Sequence, residues 1–386
     1  MGSAISSFLG SLPPLRDFIL PSPQAYTTLL NVFQYFPVLS LVQWAVSWHP
    51  AGKGSYQRSW LNIPGKLGWF LMEIVGPVNL LYLLYKLPPA LNITSLPLSN
   101  KLVASLYVIH YVNRAIISPF FAAPSMSPMH ASVVSMAVLF NWLNSTCLAG
   151  WLVGYHVPVL GYKTDGAVSG APGGSSPYSA ATHFLPCLGM VLFAAGMIGN
   201  IHSERTLFRL RRQAAEKRDA AKKSNEDITQ DENEDHPTFI QASSSSSSSS
   251  RDAKANANAN GKKNKYDKVY VIPPARGVFR SILYPHYVFE WLEWLGFALV
   301  GTAVFPAAQA LAYASPPLQI AAWLKPAAAF AEKLQVPLPL PAVVFVVNAV
   351  ANMLPHARWG RKWYVEKFGE RAIAGRGAAV PWCPWL

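Results

Sequence analysis

Three ionisable residues punctuate the apolar run Tyr284 to Gly301, YPHYVFEWLEWLGFALVG, at spacings of four and three: His286, Glu290 and Glu293. Those spacings put all three on one helical face. Ionisable groups at membrane depth are costly, so they normally face a protein interior or a wet cavity, where they bind ligands or move protons. The same face would suit a metal ion, but no HExxH pattern and no second histidine cluster accompanies it, so no metal is expected.

A second candidate is Glu73, the single carboxylate in LGWFLMEIVGPVNLLYLLY. A lone acid at that depth tends to be neutral, and a neutral carboxyl can donate a hydrogen bond to a substrate oxygen. An acid bonded to a neighbouring helix, or one that reaches out to water, would leave the same trace in sequence. In HYVNRAIISPFF, Tyr111 follows His110 and Arg114 lies one turn later. A phenol suits an oxyanion and a guanidinium suits phosphate, although Tyr and Arg are also ordinary anchors at the end of a span. In GMIGNIHSERTLFRLRR, Asn200, His202 and Glu204 lead into Arg209, Arg211 and Arg212. Such a polar, guanidinium-rich boundary can seat a phosphate-bearing cofactor. Topological anchoring explains the arginines equally well, but it does not require Asn200 or Glu204.

The elements that must position these residues are membrane helices. Hydrophobic residues make up 51% of the chain and charged residues 13%, whereas a soluble domain carries about 25% charge. The net charge of +13 falls mainly between apolar windows, where it sets topology and faces anionic lipid rather than nucleic acid. Seven windows of sufficient length fall at Tyr26 to Trp48, Leu67 to Tyr85, Leu102 to Phe121, Ser132 to Tyr155, Phe184 to His202, Tyr284 to Ala312 and Ala327 to Leu354. The expected fold is all-α, a polytopic membrane protein with seven transmembrane helices. Lys53, Arg58 and Lys66 follow the first window, Arg114 ends the third, Arg205 to Lys223 follow the fifth and Arg358 to Arg376 follow the seventh, so all four groups fall on one side. The positive-inside rule puts them in the cytosol, the N-terminus in the lumen and the C-terminus in the cytosol. The sequon Asn92-Ile93-Thr94 lies in the opposite set of loops.

From Arg212 to about Tyr266 the composition changes to a Lys/Glu/Asp-rich run, then the polyserine tract Ser243 to Ser250, then KANANANGKKNK. Such a segment buries too little apolar surface to offset its ordering entropy and reads as a disordered cytosolic insertion, or as a regulatory or docking loop. It divides the chain into helices one to five with the substrate side (1–211), the insertion (212–266) and a C-terminal half with helices six and seven (267–386). Cys147, Cys187 and Cys383 have neither metal nor disulfide-framework spacing. The MGSAIS start and CPWL end match acylation and prenylation patterns. A lumenal N-terminus and the Pro384-Trp385 pair argue against both. No internal repeat of the transporter kind is apparent.

These segments together carry a family resemblance. GNIHSERTLFRLR, then GVFRSILYPHYVFEWLEWLGFAL, then KWYVEKFGE with a terminal Arg and a VPW ending resemble the C-terminal catalytic half of the steroid 5α-reductase family. WFLME and HYVNRAIISPF resemble its glutamate and tyrosine motifs, so the likeness covers most of the chain outside the insertion and suggests a divergent, fungal- or algal-like member. It implies a multi-pass enzyme of the endoplasmic reticulum membrane that takes NADPH from the cytosol and holds a lipophilic enone. Glu73 and Tyr111 resemble the pair that hydrogen-bonds the 3-keto oxygen. Arg114, Asn200, Glu204, Arg211, His286, Glu290 and Tyr364 resemble the residues that contact the cofactor.

The implied reaction is reduction of a carbon–carbon double bond in a Δ4-3-ketosteroid. The chain departs from the vertebrate steroid enzymes at WGRK, Trp359 to Lys362, where they have a His-rich run, and in the PSMSPMH loop. His286 stands in a Pro-His-Tyr sequence similar to that of polyprenol reductases. A very-long-chain trans-2-enoyl-CoA or polyprenol substrate is therefore the alternative. Isoprenylcysteine-type methyltransferases read Arg-His-Pro at this point and have no use for the Glu73 and Tyr111 motifs. Oligomeric state is not legible.

Overall fold

The computed structural model describes residues 13–46, 59–163, 180–234, 265–266, 269–304 and 316–383. The Met1 to Ser6 acylation pattern, Lys53, Arg58, the polyserine tract and the far end of the sixth window lie outside these residues. Two compact units form: Met1–Arg205 with Pro274–Leu386, and Thr206–Pro273. Most of both flanks of the expected insertion thus belongs to one unit, while Arg211, expected with the N-terminal helices, falls in the other.

The helices of the first unit are α1 (Pro23–Gln34), α2 (Ser40–Ala45), α3 (Gly65–Ala90), α4 (Leu98–Tyr111), α5 (Ala131–Leu152), the start of α6 (Ala180–Glu234), α7 (Pro285–Gly301), α8 (Lys325–Leu334), α9 (Leu340–Phe368) and α10 (Glu370–Ile373). Among the described residues, five helical stretches are long and apolar enough to cross a membrane: Pro23–Ala45, Gly65–Ala90, Ala131–Leu152, Ala181–Ser224 and Leu340–Phe368. The third expected window is instead α4 continued by a wider π-helix, Val112–Ala122. The sixth is represented by α7, 17 residues long.

The seventh window is shifted. Residues expected at its start form the separate short helix α8, which ends at Gln335 in the left-handed region (φ 52°). The long helix begins only at Leu340 and runs past Leu354 to Phe368, so Arg358, Lys362 and Tyr364 sit on it rather than after it. Helix α6 likewise continues through the first part of the expected insertion to Glu234. The Ala, Glu, Lys and Arg residues of AAEKRDAAKK are good helix formers, which a judgement based on hydrophobicity alone overlooks.

Helices α3 and α5 start from one level. The two-residue strands β1 (Asn62–Ile63) and β2 (Met129–His130) pair just before them, Asn62 opposite His130. That strand pair is antiparallel, but along the helices the partner numbers rise together: Asn141 Nδ2 bonds to the Met72 carbonyl at 2.6 Å, and Asn79 Nδ2 bonds to Ser145 Oγ at 2.9 Å. The two helices therefore run parallel. Polar side chains between apolar helices serve as interhelical links.

Small residues set the crossing of α6 and α7. A Cβ on Gly189 would meet the backbone of Gly296 and Val300, one on Gly196 the backbone of Glu293, and one on Gly199 the ring of Phe289. The pairing runs 189 to 296, 196 to 293 and 199 to 289, so the helices are antiparallel and nearly touch. One residue further along, Asn200 meets Glu290. Trp294, Phe297, Tyr107, Leu80, Leu148 and Phe345 fill one core shared by α3, α4, α5, α7 and α9. The sequon residue Asn92 takes a left-handed turn (φ 54°) just past α3, a conformation that Asn accepts more readily than most residues.

Candidate active site

The turn of α3 that carries Glu73 is opened by Pro77, which has no N–H to offer the Glu73 carbonyl and crowds it. A similar break follows Tyr111. Pro119 lies inside the π-helix, and the wider turn accommodates it while presenting Arg114 and Ser118 to the interior. Single stretches of π-helix are a recurrent feature of functional sites.

Arg114 is the hub. Its Nε lies 3.4 Å from Glu73 Oε1, and its Nη1 lies 3.7 Å from Glu290 Oε2 and 3.9 Å from Glu204 Oε1. The guanidinium carbon sits 4.6 Å from the centre of the Trp69 ring, a cation–π contact, and Trp69 Nε1 donates to the Arg114 carbonyl at 3.0 Å. None of the three carboxylate distances reaches the 2.7–2.9 Å of a close fork. The guanidinium is centred among acids without being locked to any one of them. Ser118 Oγ donates to Glu204 at 2.6 Å and Asn200 Nδ2 donates to Glu290 at 3.3 Å. The expectation of Glu73 as an isolated acid is corrected: it shares Arg114 with two other carboxylates.

On the other side of Glu73 is a neutral network. Tyr111, buried at the end of α4, donates to Asn141 Oδ1 at 2.8 Å, and Asn141 Nδ2 also approaches Glu73 Oε2 at 3.4 Å. Asn141 thus links the two residues that were expected to act at one oxygen. The Tyr107 ring lies tilted against that of Tyr111, centroids 4.6 Å apart, and is admitted by Gly76, where a Cβ would crowd its hydroxyl.

The three residues on α7 do not share one role. Glu290 joins the Arg114 group, whereas Glu293 Oε1 lies 2.8 Å from His110 Nδ1, both side chains buried. His286 packs its ring against Tyr287 at 4.5 Å and Tyr284 at 5.7 Å. The helix turns about 100° per residue, and different neighbours meet each flank of the stripe.

The start of α7 is held by the C-terminal segment. Leu283 N–H donates to the Gly377 carbonyl at 3.0 Å and Tyr284 N–H to the Ala378 carbonyl at 3.0 Å. Arg376, 1% exposed, donates to the Ile373 and Phe279 carbonyls. Burial lowers its pKa from the usual arginine value, and Tyr364 opposes the shift. The Tyr284 hydroxyl fills the space where a Cβ on Gly360 would stand, and Tyr364 lies 6.4 Å from the Tyr284 ring. Arg211 belongs to the second unit, where its Nη2 donates to the Tyr266 carbonyl at 3.0 Å.

The donor set suits a phosphorylated, hydroxyl-rich cofactor. His286, near both Arg114 and Glu290, has a buried Nδ1 without a hydrogen-bond partner, and a buried polar atom normally has one. Together with Arg114 and Asn200 it can bond phosphate and ribose oxygens, while Glu290 and Glu204 can accept from ribose hydroxyls or a carboxamide.

Sequence reasoning passed over Asn141, Trp69, Ser118 and the pairing of His110 with Glu293. For Asn141 the available signal is a polar amide in the middle of the apolar run MAVLFNWLNSTCLAGW. The other three needed the tertiary contacts.

Comparison with known proteins comes to the same region. The family model for 3-oxo-5-alpha-steroid 4-dehydrogenase matches residues 249–333, which include α7. The chain is 27% identical over 371 residues to an uncharacterized protein of Schizosaccharomyces pombe, covering 92% of this chain and 97% of that one. It is 25% identical over 367 residues to the steroid 5-alpha-reductase DET2 of Arabidopsis thaliana, covering 92% and 95%. Against 3-oxo-5-alpha-steroid 4-dehydrogenase 1 of Rattus norvegicus the identity is 28% over 165 residues, 42% of this chain and 54% of that one.

Proposed function

Since the chain is a divergent member of the steroid 5α-reductase family and an oxidoreductase acting on CH–CH donors, we propose that it reduces the carbon–carbon double bond of a lipophilic enone with NADPH, a Δ4-3-ketosteroid being the substrate to test first. The observation that carries this reading is the meeting of Glu73 and Tyr111 at Asn141 on one side, and of Glu73 with Arg114 and Glu290 on the other. One carboxylate thereby borders both a site for a substrate oxygen and a site for a charged cofactor.

NADPH, when bound, supplies the hydride that adds to the β-carbon of the enone. The chain's own residues have three tasks. Arg114, Asn200, Glu204, His286, Glu290 and Tyr364 would hold the cofactor. Tyr111 and a protonated Glu73 donate to the carbonyl oxygen as charge develops there. Three carboxylates around one guanidinium leave negative charge uncompensated, which gives that proton a place in the cluster. In the substrate-free site Asn141 satisfies the Tyr111 hydroxyl, and the ketone oxygen takes its place as acceptor. Donors aimed at an incipient oxyanion stabilise the transition state more than the ground state. Third, the apolar bundle excludes water from the site, which strengthens these bonds. A proton added at the α-carbon completes the reaction.

The full architecture we propose is seven-spanning, with α4 continued by the π-helix as the third span and α7 within the sixth. It resides in the endoplasmic reticulum membrane, N-terminus lumenal and C-terminus cytosolic. Membranes containing the protein are expected to oxidise NADPH when given progesterone. A panel adding a trans-2-enoyl-CoA and a polyprenol or its aldehyde identifies the substrate class. Methyl transfer from S-adenosylmethionine with no oxidation of NADPH would overturn the reading.

A further inference from the structure

The proposed reduction consumes one proton per turnover in addition to the hydride, and Glu73, Tyr111, His110 and Glu293 are 9%, 3%, 4% and 0% exposed. These four side chains are closed to bulk water, so a proton that Glu73 or Tyr111 gives up is replaced through buried groups. One titratable pair in this interior has no part in holding the cofactor or the ketone.

We infer that the His110–Glu293 pair is the proton reservoir of the site, replacing the proton that the Glu73 and Tyr111 side passes to the substrate. This inference rests on the function proposed above. His110 precedes Tyr111 on α4, and their rings meet edge to face at 5.2 Å. Its Nδ1 is held by Glu293 Oε1 at 2.8 Å, and its ring is braced against Trp294 at 4.4 Å. A carboxylate bonded to one ring nitrogen orients the imidazole and supports its protonated form, leaving Nε2 as the nitrogen that exchanges protons. Glu293 Oε2 is buried without a hydrogen-bond partner, so the pair is not saturated.

The charged groups around His110 come from every element packed on it. Glu293 and Glu290 lie on α7, Arg114 on the π-helix and Glu73 on α3. A proton lost from the imidazolium toward Glu73 or Tyr111 leaves neutral imidazole beside an ionised Glu293, and solvent returns the proton before the next turnover. One proton enters from solvent and one ends on the α-carbon. A purely structural pair would also join α4 to α7, but it would have no effect on the pH dependence of turnover.

The test compares His110→Asn and Glu293→Gln with wild type in NADPH oxidation driven by progesterone, across pH. His110→Asn is expected to lower kcat about a hundredfold, within the range for loss of a general acid, with KM for NADPH unchanged. Its pH profile loses the alkaline limb. Glu293→Gln keeps an acceptor of the same shape at Nδ1, which preserves the fold. It removes the charge that stabilises imidazolium, so the alkaline limb moves to lower pH. Wild-type limbs in a folded Glu293→Gln protein would overturn the reservoir and leave the reductase reading standing. A wild-type protein that oxidises no NADPH with any of the three substrate classes would overturn both.

Discussion

Tyr111 donates its hydroxyl proton to Asn141 Oδ1 across 2.8 Å, and the direction of that bond is dictated from the far side of the amide. The atom of Asn141 that lies 2.6 Å from the Met72 carbonyl must be its nitrogen, because a carbonyl only accepts. The oxygen therefore faces the phenol, and the phenol must donate. An in-register α3–α5 pair is what brings Met72 and Asn141 together.

Asn141→Leu removes the amide acceptor of the buried Tyr111 hydroxyl, which is then left to Tyr107 alone. Stability is expected to fall by about 1–3 kcal/mol, the cost of one unsatisfied buried group, read as a lower midpoint in thermal unfolding of the purified protein. Adding Tyr111→Phe should recover part of the loss. A double variant whose loss equals the sum of the singles would mean the bond contributes nothing.

Tyr111→Phe removes a donor at the enone oxygen, and Glu73→Gln exchanges an acidic O–H for a weaker amide N–H that cannot give up its proton. Each is expected to lower kcat about a hundredfold, as for an oxyanion donor, while the dissociation constant for NADPH stays within about twofold of wild type. A variant that loses NADPH binding and keeps single-turnover rates would reassign its residue to the cofactor side.

Arg114→Lys keeps the charge but loses the planar group stacked on Trp69 and shared by three carboxylates. KM for NADPH is expected to rise about tenfold or more, corresponding to one charge-assisted hydrogen bond. Steady-state kinetics decides this, and near wild-type kinetics in Arg114→Lys would reduce the hub to a point charge.

Gly196→Val drives a side chain into the backbone of Glu293 where α6 and α7 nearly touch. The variant is expected to separate Asn200 from Glu290, with a loss of folded protein and of NADPH affinity, both measurable by fluorescence-detected size exclusion and a binding titration. Gly161→Val, at a glycine with open space around it, is the control for handling. Its positive φ of 85° is itself strained for a β-branched side chain, so a local loss of stability with NADPH affinity kept is the expected result.

Much of this was legible from composition alone. Apolar windows 2 and 4 coincide with α3 and α5 because a long run without charge can only be buried in lipid or protein. The shift of the seventh helix was not legible, because VPLPLPAVVFVV continues the apolar run across the break, and the break itself is a matter of proline and the left-handed Gln335. The persistence of α6 to Glu234 was hidden for the opposite reason: helix propensity was present in a segment judged by its polarity.

The sequence by itself identified Glu73, Tyr111, Arg114, Asn200, Glu204, His286 and Glu290 as the polar residues worth explaining. A charged or polar side chain in an apolar span is conspicuous whatever it does. Only the tertiary structure decided their company: Arg114 among three acids, Asn141 between Tyr111 and Glu73, and Glu293 turned away to His110. Periodicity reports which face of its own helix a residue occupies, but which helix meets that face depends on close contacts such as Gly189 against Gly296, and these are made between segments far apart in the chain.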